Sequence, residues 1–155
     1  MSSFHLLAEN DLTRLLEIES RCFSSPLSES QFRQILLNSR GFNFGVLVDE
    51  LAGFALFSTV LDEAELLQVA VDPDYQRRGL SYALLQEALA QLSAAGISKV
   101  MLEVRESNAA AIALYVKLGF TEDGRRKDYY PALIKGAERE DAVLLSCELQ
   151  GEKTS

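Results

Sequence analysis

Apolar residues recur along the chain with two different spacings, and the alternation between these spacings predicts a mixed fold. Short apolar runs, typical of strands, occupy 4–8, 43–48, 52–61, 64–71, 99–104 and 142–149. Apolar residues three and four positions apart predict helices over 10–23, 28–38, 79–96 and 109–118. The order β-α-α-β-β-β-α-β-α-β-β, with two strands after the last helix, predicts an α/β (α+β) fold built around one sheet.

Polar residues and glycines at the ends of these segments support the predicted helices. Ser28 precedes an apolar helical pattern and Gln31 follows three positions later, which predicts a capping box. Ser107 and Asn108 are both candidates to cap the last helix through their side chains. Gly96 and Gly119 predict the ends of the third and fourth helices.

Length and composition fit one globular domain. The chain has 155 residues, of which 48% are hydrophobic and 25% are charged. No repeat or linker divides it, so we expect a single domain over 1–149 and a disordered tail over 150–155. The N-terminus lacks a basic stretch followed by an apolar one, and no apolar run is long enough to span a bilayer. We therefore expect a cytoplasmic protein with no membrane partner.

Charge and metal-ligand content narrow the possible partners. The net charge of -8 argues against a nucleic-acid binder, because a phosphate backbone is bound by a basic face. The same charge is compatible with a cationic partner, although acidic surfaces also serve solubility. Cys22 and Cys147 form no CxxC pair and His5 is the only histidine, so the sequence predicts no metal site. We expect both thiols to be chemically idle in a reducing compartment.

The segment 71–85, VDPDYQRRGLSYALL, joins a predicted strand to the third helix through Arg77, Arg78 and Gly79. The unpaired N–H groups and positive dipole at a helix start suit an anion, and a glycine lets the backbone approach a ligand closely. These features describe a phosphate cradle. The lysine of a P-loop and the three glycines of a dinucleotide fingerprint are missing, however, and an ordinary solvated helix start explains the same residues.

A second segment, 102–120, LEVRESNAAAIALYVKLGF, carries polar groups suited to proton transfer. In a strand, Glu103 faces away from its neighbours Leu102 and Val104, and a carboxylate there can accept a proton directly or through water. Asn108 begins the next helix, and Tyr115, about two turns later, can supply a phenolic proton. Taken singly, Glu103 also fits an exposed strand position and Tyr115 fits a core aromatic.

Together, these segments resemble the GNAT family of N-acetyltransferases, which bind acetyl-coenzyme A. The stretch QRRGLS, 76–81, is similar to the family motif Q/R-x-x-G-x-G/A, and SNAAAIALYVKLGF, 107–120, is similar to N-x-x-A-x-x-L-Y-x-x-x-G-F. Four further stretches resemble the RimI group of ribosomal-protein alanine N-acetyltransferases: LDEAELLQVAVDPDYQRRGL, LEVRESNAAAIALY, RRKDYYP and EDAVLL. The resemblance covers most of the chain and is strong over 62–147.

The resemblance implies a GNAT fold, in which helices flank both faces of a central mixed, mostly antiparallel twisted sheet. It implies that a set of residues binds acetyl-coenzyme A: Val69, Ala70, Val71, Arg77, Arg78, Gly79, Leu80, Ser81, Tyr82 and Asn108. The backbone of 69–71 is expected to pair with the pantetheine arm, and the backbone of 77–82 to hold the pyrophosphate. The resemblance implies Glu103 as the general base and Tyr115 as the general acid for the leaving thiolate.

The acceptor side is expected to involve Leu27, Tyr129 and Tyr130, the two tyrosines lining the slot for the acceptor's N-terminal residue. Two positions depart from the family pattern. Ser81 stands where the family usually has Gly or Ala, and we expect its N–H still to bind phosphate. Leu27, in SPLSE, stands where relatives commonly have Trp, and we expect this change to affect acceptor selectivity rather than the chemistry.

The RimI-like segments imply that the acceptor is an N-terminal alanine, that of the eighteenth protein of the small ribosomal subunit, which is a basic partner. At pH 7 about a tenth of α-amines are neutral, against fewer than about one in a thousand lysine amines, so a single carboxylate base suffices for an α-amine. Other protein N-termini, lysines and small amines are alternative acceptors. A non-catalytic coenzyme-binding module is an alternative of a different class.

Overall fold

Seven strands and four helices build the fold, which the computed structural model describes for residues 2–149. The strands are β1 (Ser3–Leu6), β2 (Gly41–Leu47), β3 (Leu51–Val60), β4 (Glu63–Val71), β5 (Lys99–Arg105), β6 (Thr121–Tyr130) and β7 (Glu140–Glu148). The helices are α1 (Leu12–Cys22), α2 (Glu29–Leu37), α3 (Leu80–Ala94) and α4 (Ala109–Lys117). The predicted tail, 150–155, lies outside the described residues.

All seven strands belong to one sheet in the order β1-β2-β3-β4-β5-β7-β6. Neighbouring strands run antiparallel except for β4 and β5, which run parallel. This arrangement confirms the predicted α/β fold with a mixed, mostly antiparallel sheet. A parallel neighbour requires a crossover connection, and α3 supplies it between β4 and β5.

Each face of the sheet is covered by its own pair of helices, because side chains of successive strand residues point to opposite faces. Helices α3 and α4 cover a core that includes Phe44, Phe57, Leu84, Leu102 and Tyr115. Helices α1 and α2 cover a second core that includes Leu15, Ile18, Phe32, Phe54 and Leu56. Strand β3 contributes to both cores and is buried along most of its length, which explains its nearly continuous apolar run.

The predicted helix ends are confirmed. Ser28 accepts a hydrogen bond from the Gln31 N–H at 3.1 Å, and the Gln31 side chain accepts one from the Ser28 N–H at 2.8 Å. Asn108 Oδ1 caps α4 by accepting from the Ala111 N–H at 3.2 Å. Gly96 and Gly119, directly beyond α3 and α4, have φ of +93° and +103°, which favour glycine over residues with a Cβ.

Strand β6 is the one that no apolar pattern marked. It lies at the edge of the sheet, pairs only with β7 among the described residues, and is exposed along nearly its whole length. An exposed edge strand needs no apolar face, so its sequence, TEDGRRKDYY, carries no alternation. Its register with β7 shifts twice, and in the second shift Asp128 adopts a φ of +53°. Irregularities of this kind change the direction in which the side chains of a strand point.

Candidate active site

The central feature of the site is a gap between β4 and β5. In the described structure the two strands pair at only three positions: Glu63 with Lys99, Ala64 with Val100, and Glu65 with Met101. Both strands continue beyond these pairs, to Val71 and Arg105, without pairing further. The register between β3 and β4 also shifts so that Leu67 is an extra residue, which is a β-bulge and bends β4 where the gap begins.

Two residues of β4 present backbone groups to this gap. The Asp72 N–H donates to the Ala52 carbonyl of β3, and in an antiparallel pair the hydrogen-bonded positions alternate. Ala70 therefore bonds to β3 as well, whereas the backbones of Val69 and Val71 face β5. Of the three residues that the resemblance assigned to ligand pairing, Val69 and Val71 are oriented for it and the backbone of Ala70 is not.

The Val71 carbonyl already has internal partners. It accepts a hydrogen bond from Gln76 Nε2 at 2.8 Å and one from the Cys22 thiol at 3.3 Å. The unengaged groups that face the gap are thus those of Val69 and the N–H of Val71. Backbone groups away from water require partners, so these groups define where an extended polar ligand would bind.

The start of α3 forms an anion-binding concavity next to the gap. Arg77 and Gly79 both have left-handed backbone conformations, with φ of +65° and +74°, and no side chain caps the helix. The first helical hydrogen bond in this region runs from the Ala83 N–H to the Gly79 carbonyl, so the N–H groups of 80–82 are uncapped. A cavity of about 240 Å³ opens here, lined by Gly79, Leu80, Ser81 and Tyr82 among others. Successive N–H groups in such a turn form a nest for an anion.

A Cβ added at Gly79 would meet no atom within 4 Å, so nothing in the protein itself fills that space. Arg77 makes no ion pair with any described residue, and Arg78 lies over the Tyr75 ring at 5.2 Å. The concavity therefore combines open space, uncapped N–H groups and one cationic side chain, that of Arg77. This combination favours a phosphate over an ordinary helix start.

A buried ion cluster fixes the loop that leads into this concavity. Asp72 is 1% exposed and pairs with Arg14 and Arg21 of α1, while its Oδ1 accepts from the Asp74 N–H. Burial alone would raise the pKa of Asp72, but the hydrogen bonds from Asp74 and Arg14 outweigh it and hold the pKa below its ordinary value. The loop between β4 and α3 is thus anchored to α1.

Glu103 borders the gap on β5, and Tyr115 lies on the opposite face of the sheet from the Glu103 side chain. Leu102 and Val104 are buried in the core under α3 and α4, so the side chain of Glu103 points to the face that carries α1 and α2. Tyr115 projects from α4 into the other core and is 6% exposed. Its hydroxyl has no hydrogen-bond partner among the described residues. A carboxylate and a phenol therefore lie on the two sides of the sheet.

Tyr130 interacts electrostatically with both Glu103 and Tyr115. Burial chiefly raises the pKa of Tyr115, with a smaller effect of Tyr130, to about 12. Burial and then the charge of Glu103 raise the pKa of Tyr130. Each effect requires proximity, so Tyr130 lies near both groups. Both phenols are therefore in the neutral, proton-bearing form at physiological pH.

Two arginines, which the sequence patterns did not single out, complete the wall around Glu103. Arg126 pairs with Glu103 at 3.1 Å and lies over the Tyr129 ring at 5.4 Å. Arg105 lies over the Tyr130 ring at 4.7 Å. The Arg126–Glu103 contact reaches across β7, which separates β5 from β6, so no spacing along the sequence could have indicated it.

The predicted acceptor residues divide between two places. Tyr129 and Tyr130 pack edge to face, with ring centroids 5.0 Å apart, beside Glu103. Leu27 lies in the loop between α1 and α2 and packs against the core beneath those helices. Its N–H donates to Glu19 at 2.7 Å, and Glu19 also accepts from Gln68 of β4. The side chain of Glu103 and the hydrogen bonds of Glu19 to Leu27 and Gln68 therefore lie on the same face of the sheet.

Neither cysteine has the environment of a nucleophile. Burial chiefly raises the pKa of both thiols, and nearby carboxylates, Asp72 and Glu19 for Cys22 and Glu148 for Cys147, raise it further. Among the described residues no cluster of three or more His, Cys, Asp or Glu side chains could hold a metal ion. No helix within 2–149 is long and apolar enough to cross a membrane.

Comparison with protein families matches residues 12–120 to the acetyltransferase (GNAT) family. The [ribosomal protein bS18]-alanine N-acetyltransferase of Escherichia coli strain K12 is 43% identical over 147 residues, which cover 94% of this chain and 97% of that one. The enzyme of the same name from Haemophilus influenzae is 39% identical over 153 residues, or 96% of this chain and all of that one.

Solved structures agree with these similarities. The crystal structure of the ribosomal-protein-S18-alanine N-acetyltransferase from Escherichia coli superposes with a TM-score of 0.90 and 41% identity, covering 100% of this chain and 99% of that one. A spermidine N-acetyltransferase from Vibrio cholerae superposes with a TM-score of 0.80 at 20% identity, covering 96% and 94%. At that identity the second likeness concerns the fold alone.

The environment of Tyr115 predicts its titration. Tyr115→Phe should remove the phenolate absorbance that appears near pH 12 and leave the signal below pH 11 unchanged, which near-ultraviolet difference titration measures. Because the unfolded chain ionises at an ordinary pKa of about 10, the stability from the neutral phenol is complete below pH 10 and is lost towards pH 12. A loss of absorbance near pH 10 in the variant would contradict the described burial.

Proposed function

This chain belongs to the acetyltransferase (GNAT) family, and from that membership we propose that it transfers acetyl from acetyl-coenzyme A to the α-amine of an N-terminal alanine. The proposed acceptor is ribosomal protein bS18, for which its relatives at about 40% identity are named. An acceptor on the ribosome would make this a cytoplasmic reaction. The observation that carries the proposed chemistry is the gap between β4 and β5, which Glu103 borders on the face of the sheet opposite to Tyr115.

The residues present fit acetyl-coenzyme A. The Val69 carbonyl and the Val71 N–H can pair with the amides of its pantetheine arm, as a neighbouring strand would. The uncapped N–H groups of 80–82, with Arg77 and Arg78 beside them, suit its pyrophosphate. Ser81, where the family usually has Gly or Ala, retains its backbone N–H at this position. Asn108 Oδ1 caps α4, which leaves Nδ2 to donate to the arm.

Acetyl-coenzyme A supplies the acetyl group as a thioester and departs as a thiol. In this proposal the Val69 N–H donates to the carbonyl oxygen of the thioester and so favours attack by an amine. Glu103 accepts the proton that the α-ammonium must lose before its nitrogen can attack, and the proton that the nitrogen loses after bonding to the acetyl carbon ends on the departing sulfur. Neither thiol forms an acyl intermediate, because the pKa of each is raised and neither has a histidine beside it among the described residues.

In this proposal Tyr115 donates a hydrogen bond to the leaving sulfur. With a pKa of about 12 it keeps its proton at every physiological pH and can donate to the sulfur as negative charge develops there. An ordinary thiol has a pKa of about 8.5, so a phenol of this kind stabilises a thiolate chiefly by hydrogen bonding. The proposed general-acid role therefore consists mainly of that hydrogen bond.

The acceptor would approach from the face that carries α1 and α2, where Glu103 points. Tyr129 and Tyr130, held by Arg126 and Arg105, would form one wall of the slot, and Leu27 the other. A free α-ammonium can replace Arg126 at Glu103, since an exposed pair of this kind is worth only about 0–1 kcal/mol. The net charge of -8 suits a basic acceptor protein.

The choice of acceptor predicts a dependence on the free N-terminus. A peptide that begins with alanine and is rich in arginine should be acetylated. The same peptide with its N-terminus blocked and an internal lysine added as the only free amine should not be acetylated. Mass spectrometry after incubation with acetyl-coenzyme A locates the added acetyl group. Spermidine serves as the small-amine comparison. Equal transfer to the free and blocked peptides would contradict the proposed function.

The role of Glu103 predicts a rate loss that depends on pH. Glu103→Gln should lower kcat about 10²- to 10⁴-fold near pH 7, because the amide cannot accept the amine's proton. The loss should shrink towards pH 9, where most α-amines are already neutral. Glu106→Gln, an exposed carboxylate three residues along the chain, is the matched control and should retain full activity. A pH-independent loss would argue that Glu103 acts through structure rather than as a base.

The space at Gly79 predicts a selective effect on coenzyme affinity. Gly79→Ala should weaken acetyl-coenzyme A binding at least about tenfold, because the Cβ occupies space that the pyrophosphate requires. Gly96→Ala at the other end of α3 is the control: its φ is also positive and its Cβ would also meet nothing within 4 Å. Calorimetry should show similar stability losses but weakened coenzyme binding only for Gly79→Ala. Equal affinities in the two variants would contradict the cradle.

A further inference from the structure

Glu19 is a buried ionisable side chain that the proposed chemistry does not use. It lies on α1 and is 0% exposed. Its carboxylate accepts hydrogen bonds from the Leu27 N–H at 2.7 Å and from Gln68 Nε2 at 2.9 and 3.1 Å. No arginine, lysine or histidine of the described residues pairs with it. A carboxylate buried without a cation is costly unless its hydrogen bonds compensate, so a tight set of donors is needed here.

The first donor, Leu27, belongs to a loop that is otherwise held only loosely. Helix α1 ends at Cys22 and α2 begins at Glu29. Within the described residues, the Leu27–Glu19 hydrogen bond is the only one that the segment 24–27 makes. The apolar contact of Leu27 with the core under α1 and α2 supplies no fixed direction. The position of this segment therefore depends on Glu19.

The second donor, Gln68, lies on β4 at the edge of the gap. It directly follows the bulged residue Leu67 and directly precedes Val69, whose backbone faces β5. Gln68 and Glu19 both lie on the face that Glu103 shares. Glu19 thus joins the loop that carries Leu27 to the strand beside which the thioester is proposed to lie.

We propose that Glu19 is a positioning residue for the acceptor: it holds segment 24–27 at a fixed distance from β4 and so sets one wall of the acceptor slot. Glu19 touches neither substrate in this role and acts through Leu27 and Gln68. The inference rests on the proposed transfer to a peptide amine, because that reaction gives the slot its occupant. The coenzyme cradle is anchored separately, through Asp72, and should be unaffected.

Glu19→Ala provides the direct test. We expect the KM for the alanine peptide to rise about 10- to 100-fold, since a hydrogen bond to a charged group and the placement of a reactant are each worth that much. The KM for acetyl-coenzyme A should stay within about twofold, and the Leu27 amide should exchange its hydrogen faster. Glu19→Gln should restore most of the peptide KM, because one amide oxygen still accepts from Leu27 and the Gln68 amide can turn over to pair with the other end.

The controls separate positioning from general destabilisation. Glu17→Ala removes an exposed carboxylate of the same helix and should change neither KM. Should Glu19→Ala fail to fold, Gln68→Met removes only the link to β4 and should raise the peptide KM several-fold. An unchanged peptide KM in a folded Glu19→Ala or in Gln68→Met, or an equal rise in both KM values, would overturn the inference.

The same experiment distinguishes this inference from the proposed function. If the unaltered protein transfers no acetyl to the peptide, the proposed function fails, and the exchange rate of the Leu27 amide in Glu19→Ala still decides whether Glu19 holds the loop. If the unaltered protein is active and Glu19→Ala keeps both its peptide KM and its Leu27 protection, only the positioning role fails.

Discussion

The site depends on one constraint, which is that two parallel strands in the middle of the sheet pair at three positions and then part. A parallel pair that continued to Val71 and Arg105 would satisfy every backbone group and leave no room for a ligand. The bulge at Leu67 and the separation of β4 from β5 instead leave the backbone of Val69 facing open space. Buried backbone groups require partners, so the sheet is complete only when an extended polar molecule takes the place of the missing strand. One opening, reached from both faces, then brings two substrates together.

Helix α1 connects the two sides of this opening. Its Arg14 and Arg21 pair with Asp72 in the loop before α3, where the phosphate is proposed to bind, and its Glu19 binds Leu27 and Gln68 on the proposed acceptor side. These contacts differ in kind: the first is a buried ion cluster, and the second is a carboxylate with neutral donors. The helix therefore anchors the loop before α3 through ion pairs and the proposed acceptor slot through hydrogen bonds.

The sequence predicted what depends on local pattern. Apolar periodicity located six of the strands and all four helices, and the capping box at Ser28 and the cap at Asn108 follow from short-range chemistry that the structure confirms. The predicted order includes two strands after the last helix, but no apolar pattern located β6, because an exposed edge strand has no apolar face. The sequence did not predict the direction of the Ala70 backbone groups, because that direction depends on the register of β4 against β3. The Arg126–Glu103 and Glu19–Gln68 contacts join residues 23 and 49 positions apart in the chain, and the tertiary fold alone brings them together.

The central claim is that acetyl-coenzyme A completes the sheet between β4 and β5. The direct test is an amide NMR titration of the protein with coenzyme A. Binding in the gap should produce large shifts and new protection from exchange for the amides of Val69 and Val71 together with those of 80–82, while the amide of Ala70, bonded to β3, should change little. Shifts confined to the start of α3, with Val69 and Val71 unaffected, would contradict it.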